Sequence, residues 1–190
     1  NIYVCYTTNE TGRLTNRVER LKVGNLNREN NSLDLSRGEI ILGGMSASYI
    51  HNGCRLHFAP DETLLITMGD SSRSSLAQDK ESLNGKVLRI NKDGSIPGDN
   101  PFPNSRVYTW GHRNPQGIDT RPGSDDIYIS EHGPATDDEV NKLIPGLNYG
   151  WPKVKGTREV EGFEPALWSW TPTIAPAGIS FTDSKTLYLA

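Results

Sequence analysis

The chain has 190 residues, with 20 lysines and arginines against 23 aspartates and glutamates and a formal net charge of −3. That length can bury a sizeable core, whereas the evenly mixed charges leave no basic stripe for nucleic acid, and no apolar run is long enough to span a bilayer. The balance points to a soluble protein acting on a small molecule, and 19 glycines and 12 prolines between short β-rich runs predict an all-β fold.

In chain order, the first strand-like runs are Ile2 to Val4, Arg17 to Val23 and Glu39 to Leu42, with polar Asn25 to Ser36 reading as a loop. Leu56 to Phe58 and Leu64 to Ile66 form a hairpin about Pro60-Asp61-Glu62. Ser71 to Leu83 reads as an insertion with a short helical turn, followed by strands at Lys86 to Ile90 and Val107 to Trp110 on either side of a loop from Asp93 to Ser105. A second hairpin joins Ile118-Asp119-Thr120 to Ile127-Tyr128-Ile129 through Pro122-Gly123-Ser124, with further strands expected at Asn141 to Ile144 and Ala166 to Trp168. The last hairpin joins Ile179-Ser180-Phe181 to Leu187-Tyr188-Leu189. Cys5 and Cys54 allow either one disulfide or two buried thiols, and two cysteines do not make a framework.

These runs repeat. Ile2, Leu64, Ile127 and Leu187 head similar strand cores spaced 62, 63 and 60 residues apart, and the preceding strands keep the same register. A period of about 60 residues has room for four short strands, the unit of a β-propeller blade. Residues 1–190 therefore read as about three blades of a single β-propeller domain. Propellers close with ~4–8 blades and an open ring would leave strand edges unpaired. A longer polypeptide is expected to continue the ring; a homodimer completing it is the alternative.

The register also places chemistry. His51, Arg113 and Ile174 stand five residues before Leu56, Ile118 and Ile179, so they share one repeat position, and equivalent loops gather around one mouth of a propeller. Asn52 and Asn114 follow at matched positions, and Asp70 and His132 lie at the open ends of the same two hairpins. An imidazole beside a carboxylate suits a general base, and a fixed guanidinium can stabilise negative charge developing on an oxygen. Gly133-Pro134 with Asp137, Asp138 and Glu139 offers the oxygen ligands that Ca²⁺ prefers, without the Cys/His spacing of a zinc site. The plainer alternatives are a structural His51, an Arg113 paired with a carboxylate across blades, and a solvated acidic loop. Trp110, Trp151, Trp168 and Trp170 read as aromatics that pack the blades.

Six motifs, in order, resemble one family: His51-Asn52-Gly53-Cys54-Arg55-Leu56, Leu83 to Ile90, Asp93 to Pro97, Gly111 to Gly117, Glu131-His132-Gly133-Pro134 and Asn148-Tyr149-Gly150-Trp151-Pro152. They look like the soluble glucose/sorbosone dehydrogenases, the aldose sugar dehydrogenases that use pyrroloquinoline quinone (PQQ). The resemblance implies a six-bladed propeller with PQQ over the channel mouth, held by Ca²⁺. It implies that His51 takes the proton of the sugar C1 hydroxyl while hydride passes from C1 to the quinone, giving a lactone. Asp70 would orient His51, Arg113 would stabilise charge on the reduced cofactor, and Asn114 and His132 would contact it. The carbonyls of Gly133 and Pro134 match ligands of the cofactor Ca²⁺, and Glu139 with the Tyr149 main chain resembles a second, structural calcium site. The resemblance further implies an external electron acceptor and a periplasmic or secreted location. His132 stands where some members carry Gln, and Ser75 falls near an amide of the glucose-type enzyme, which argues against assuming glucose. The family's later basic residues, which bind the PQQ carboxylates, fall beyond Ala190.

Two other activities suit such a propeller: a non-catalytic module that binds proteins, and a calcium-dependent sugar lactonase. A lactonase would want carboxylates and Asn clustered on one axial metal, whereas the axial positions here are His and Arg.

Overall fold

The computed structural model describes residues 1–10, 12–27 and 32–190. Its first sheet holds β1 (Ile2–Thr8), β2 (Thr15–Asn27) and β3 (Ser32–Ser46). The second holds β4 (Gly53–Phe58), β5 (Leu64–Met68), β6 (Lys86–Ile90) and β7 (Val107–Trp110), with the single turn of helix α1 (Ser75–Gln78) between β5 and β6. The third holds β8 (Pro115–Thr120), β9 (Ile127–Glu131), β10 (Asp138–Lys142) and β11 (Trp168–Trp170), and β12 (Ile179–Phe181) pairs with β13 (Leu187–Leu189). Every paired strand is antiparallel to its sequence neighbour. Such four-stranded meanders are propeller blades. The leading strands β4, β8 and β12 pack against one another in turn, and β1 packs against β4. The chain is thus about three blades of a β-propeller, with β1 to β3 matching the second to fourth strands of the next blade.

The pattern of apolar residues explains the stacking. All five residues of β5 are buried because both faces of its sheet are covered. Leu64, Ile66 and Met68 join Val18, Leu42, Met45, Leu88 and Ile90 in a core between the first two sheets. Leu65 and Val87, pointing the other way, join Ile118, Ile127, Ile129 and Leu143 between the second and third. The period of two along a strand therefore feeds two cores from one blade. Each fully buried Leu or Ile contributes about 1.5–3 kcal/mol.

Two expectations change. The stretch Asn25 to Ser36 is not a plain loop, since β2 runs to Asn27 and β3 starts at Ser32, leaving 28–31 outside the described residues. A register shift between Val23 and Leu26 takes up Asn25, the first of the Asn residues that read as loop formers. In the third repeat, β10 starts at Asp138 rather than Asn141 and β11 at Trp168 rather than Ala166. Acidic residues enter β10 because main-chain N–H groups satisfy their carboxylates. Of the two states left open for the cysteines, the structure has the bridge: Cys5 on β1 and Cys54 on β4 form a disulfide that ties the first sheet to the second. No helix among the described residues is long and apolar enough to cross a membrane.

Candidate active site

The loop before β4 and the end of β5 are locked together. Ser71 N donates to the His51 carbonyl at 3.0 Å and Gly69 N to the Asn52 carbonyl at 3.2 Å. His51, Ser71 and Ser72 all adopt positive φ, at 60°, 53° and 60°, a conformation that persists in non-glycine residues only where the surroundings over-determine it. This brings His51 Nδ1 to 2.9 Å from Asp70 Oδ1, with the imidazole side chain 15% exposed and the carboxylate 2%. A carboxylate only accepts, so in the neutral ring Nδ1 carries the proton and Nε2 the lone pair. Asp70 is fixed in turn by Ser72 N at 2.8 Å to Oδ1 and by the Trp151 indole Nε1 at 2.9 Å to Oδ2.

Arg113 arrives from the equivalent loop of the next blade. Its carbonyl accepts from Asp70 N at 2.8 Å, its main-chain N–H donates to Glu131 Oε1, and its Nη1 donates to the His132 carbonyl at 3.1 Å. The guanidinium carbon lies 5.4 Å from the centre of the Trp151 ring. Burial lowers its pKa, and Asp70, Glu131 and Asp138 oppose that shift, so Arg113 stays a cation. Its Nε is buried with no partner among the described residues. Beneath it, fully buried His112 joins Glu131 Oε2 at 2.8 Å and Thr109 Oγ1 at 2.9 Å, and stacks on Tyr149 at 4.7 Å.

A cavity of about 570 Å³ opens over these groups, walled among others by His51, Arg113, Asn114, Gln116, His132, Gly133 and Pro134. The structure therefore brings together the residues predicted from the repeat, with Asp70 just behind them. Asn114 Oδ1 accepts from Gln116 Nε2 at 2.9 Å, and His132 Nε2 donates to the Pro176 carbonyl at 2.8 Å. Asn52 also lines the cavity, but its amide is spent on Ser48 and Asn16. Ile174, the third member of the repeat position, offers its main-chain N–H to Asp138 instead of side-chain chemistry. A second cavity, of about 450 Å³, lies at the turn end of the hairpins, where Arg89 is already paired with Asp61 and Asp99.

The acidic run is not a solvated loop. Asp138 is 1% exposed and accepts from the main-chain N–H of Gly133, Ile174 and Ala175 at 2.7, 2.6 and 2.6 Å, pinning the Gly133-Pro134 turn to the chain before β12. Glu139 is buried too and accepts from Gly156 N at 2.6 Å and Asn141 Nδ2 at 3.0 Å. Burial and the nearby Glu131 push its pKa up to about 8. Glu139 and Tyr149 wall a cavity of about 10 Å³ beside Glu131 and Trp151. Among the described residues no group of three His, Cys, Asp or Glu side chains is arranged to hold a metal ion.

Trp151, Glu131, His112 and Gln78 were not singled out from the sequence as parts of this site. Trp151 is no mere packing aromatic, since its N–H and its ring face serve Asp70 and Arg113. The available signal was its place in Asn148-Tyr149-Gly150-Trp151-Pro152, a motif read only for Tyr149.

A family model described as glucose/sorbosone dehydrogenase matches residues 1–188. Quinoprotein glucose dehydrogenase B of Acinetobacter calcoaceticus is 40% identical over 151 residues, covering 68% of this chain and 31% of that protein. An aldose sugar dehydrogenase of Escherichia coli is 35% identical over 153 residues, covering 70% of this chain and 41% of its own length. Among solved structures, the PQQ-bound aldose sugar dehydrogenase of Streptomyces coelicolor superposes with a TM-score of 0.88 at 35% identity, covering 99% of this chain and 54% of that one. The chain thus spans 31% and 41% of the two curated relatives and 54% of the solved one.

Proposed function

The chain belongs to the glucose/sorbosone dehydrogenase family, and from that premise we propose that it forms part of one propeller domain of a PQQ-dependent aldose sugar dehydrogenase, oxidising a sugar at C1 to the lactone. The observation that carries this reading is the His51–Asp70 pair, 2.9 Å apart, at the wall of a cavity it shares with Arg113.

The residues present fit the cofactor. PQQ is a planar quinone bearing carboxylates, and the cavity offers it a cation with an unpartnered buried Nε on Arg113, with Asn114, Gln116 and His132 beside it. For Ca²⁺, the Gly133 and Pro134 carbonyls are donors of the right hardness, and with no three-residue side-chain cluster the ion would complete its shell with other oxygens. A second cation near Glu139 and Tyr149 would favour the ionised form of Glu139, which burial and Glu131 otherwise disfavour. When bound, PQQ supplies the hydride acceptor and Ca²⁺ the Lewis acidity.

The chain's own residues do the rest. His51 takes the C1 hydroxyl proton at Nε2, while Asp70 holds Nδ1–H and stabilises the imidazolium that forms. Arg113, desolvated and fixed over Trp151, offsets negative charge developing on a neighbouring oxygen. Asn114 and His132 serve as cofactor contacts. The Cys5–Cys54 disulfide supports a periplasmic or secreted location, since such bonds persist in oxidising compartments, and electrons would leave through an external acceptor.

His51→Ala in the full-length protein tests this reading. Turnover is expected to fall ~10²–10⁴-fold, with PQQ binding, followed by absorbance titration, unchanged. Loss of PQQ binding along with turnover would make His51 a structural residue and overturn its role as base.

A further inference from the structure

Trp151 stands between the two halves of the site, and its indole N–H, ring face and main chain are each engaged. Its indole N–H donates to Asp70 Oδ2 at 2.9 Å, the oxygen that His51 does not use. Its ring lies 5.4 Å from the Arg113 guanidinium carbon. Its main chain is held at both ends: N donates to the Gly111 carbonyl at 2.9 Å, and the carbonyl accepts from Gln78 Nε2 at 2.7 Å. Gln78, the last residue of α1, is itself clamped by a reciprocal amide pair with Asn148, both bonds 2.9 Å.

A tryptophan that only packed blades could be replaced by any large apolar side chain. Here Asp70 is 1% exposed, so water has little access to its Oδ2 if the indole N–H is removed. The titratable side chains facing Asp70 are His51 and Arg113, with Glu131 and Asp138 also acting on Arg113. We propose that Trp151 is a positioning residue that fixes the His51–Asp70 pair relative to Arg113, and that Gln78, carried by the insertion between β5 and β6, sets where Trp151 stands. This inference rests on the dehydrogenase reading for its kinetic consequences only.

The test uses Trp151→Phe in the full-length protein, which keeps a ring under Arg113 and removes the donor. Turnover is expected to fall about tenfold, the effect of one hydrogen bond to a charged group, with KM changed less than twofold. In an Asp70→Asn background the same substitution should cost nothing further, because both act through one carboxylate. In the apo protein labelled with ¹⁵N-tryptophan, the Trp151 indole N–H resonance should move on Asp70→Asn. An unchanged kcat, losses that multiply in the double variant, or an indole resonance indifferent to Asp70→Asn would each overturn the proposal. Should Trp151→Phe not fold, Gln78→Met frees the Trp151 carbonyl without substituting Trp151, His51, Asp70 or Arg113. It should lower kcat and move the indole resonance, and no change in either would overturn the proposal. A wild-type protein inactive on every aldose would sink the dehydrogenase reading instead, leaving the indole resonance to decide the Trp151–Asp70 link.

Discussion

Gly69 has no room for a side chain: a Cβ there would run into the His51 carbonyl and lie 3.0 Å from Asn114 Oδ1. Because its neighbour is the main chain of the proposed base, Gly69→Ala is expected to destabilise the protein by about 1–3 kcal/mol. It should also lower kcat well beyond any change in PQQ affinity, by displacing His51. Urea unfolding alongside kinetics checks both, and an unchanged kcat would show that His51 tolerates the shift. His51, Asp70 and Arg113 were legible in the sequence because matched repeat positions point to one mouth. Trp151 was not, since its role depends on a carboxylate 81 residues away. The main-chain bonds of Asp138 were hidden for the same reason, its partners Ile174 and Ala175 lying 36 and 37 residues on.

Among the elements, the contact of β4 with β8 carries a half-buried histidine. His57 Nε2 meets Thr120 Oγ1 at 2.7 Å and Nδ1 lies 3.9 Å from Asp119. Burial pulls its pKa below the usual 6.5, with Asp119 opposing. Below about pH 6.5 the unfolded chain therefore binds a proton that the folded one refuses, so this group's stability contribution is lost as pH falls through that window. His57→Gln should remove this component, making the stability difference between wild type and variant shrink from pH 7 to pH 5 in denaturant titrations. A difference constant over that range would contradict the assignment. The three hairpins were legible from apolar alternation and turn residues. The β2–β3 ribbon and the start of β10 were not, because Asn, Gly and acidic residues there are stabilised by bulges and by distant main-chain donors that composition does not reveal.

Across the whole molecule, the sheets are joined by apolar cores and, once, covalently. The Cys5–Cys54 bond has a sequence separation of 49 and lies three residues from His51. Cys5→Ser with Cys54→Ser is expected to cost about 2–4 kcal/mol, read as a lower denaturation midpoint, and reduction of the wild type should reproduce it. No shift would mean that the cores alone fix the first sheet against the second. The blade repeat was legible at this scale, whereas the pairing was not, because the spacing of two cysteines suits a bridge and free thiols equally. In the proposed function, the His51, Asp70 and Arg113 mouth is part of a quinone-dependent sugar oxidation site. The most direct test is dye reduction by the full-length protein over a panel of aldoses, after reconstitution with PQQ and Ca²⁺. Reduction that appears with at least one aldose and only when PQQ is present is the predicted result. A protein that binds PQQ yet reduces no dye with any aldose, or that binds no PQQ at all, would overturn the proposed function.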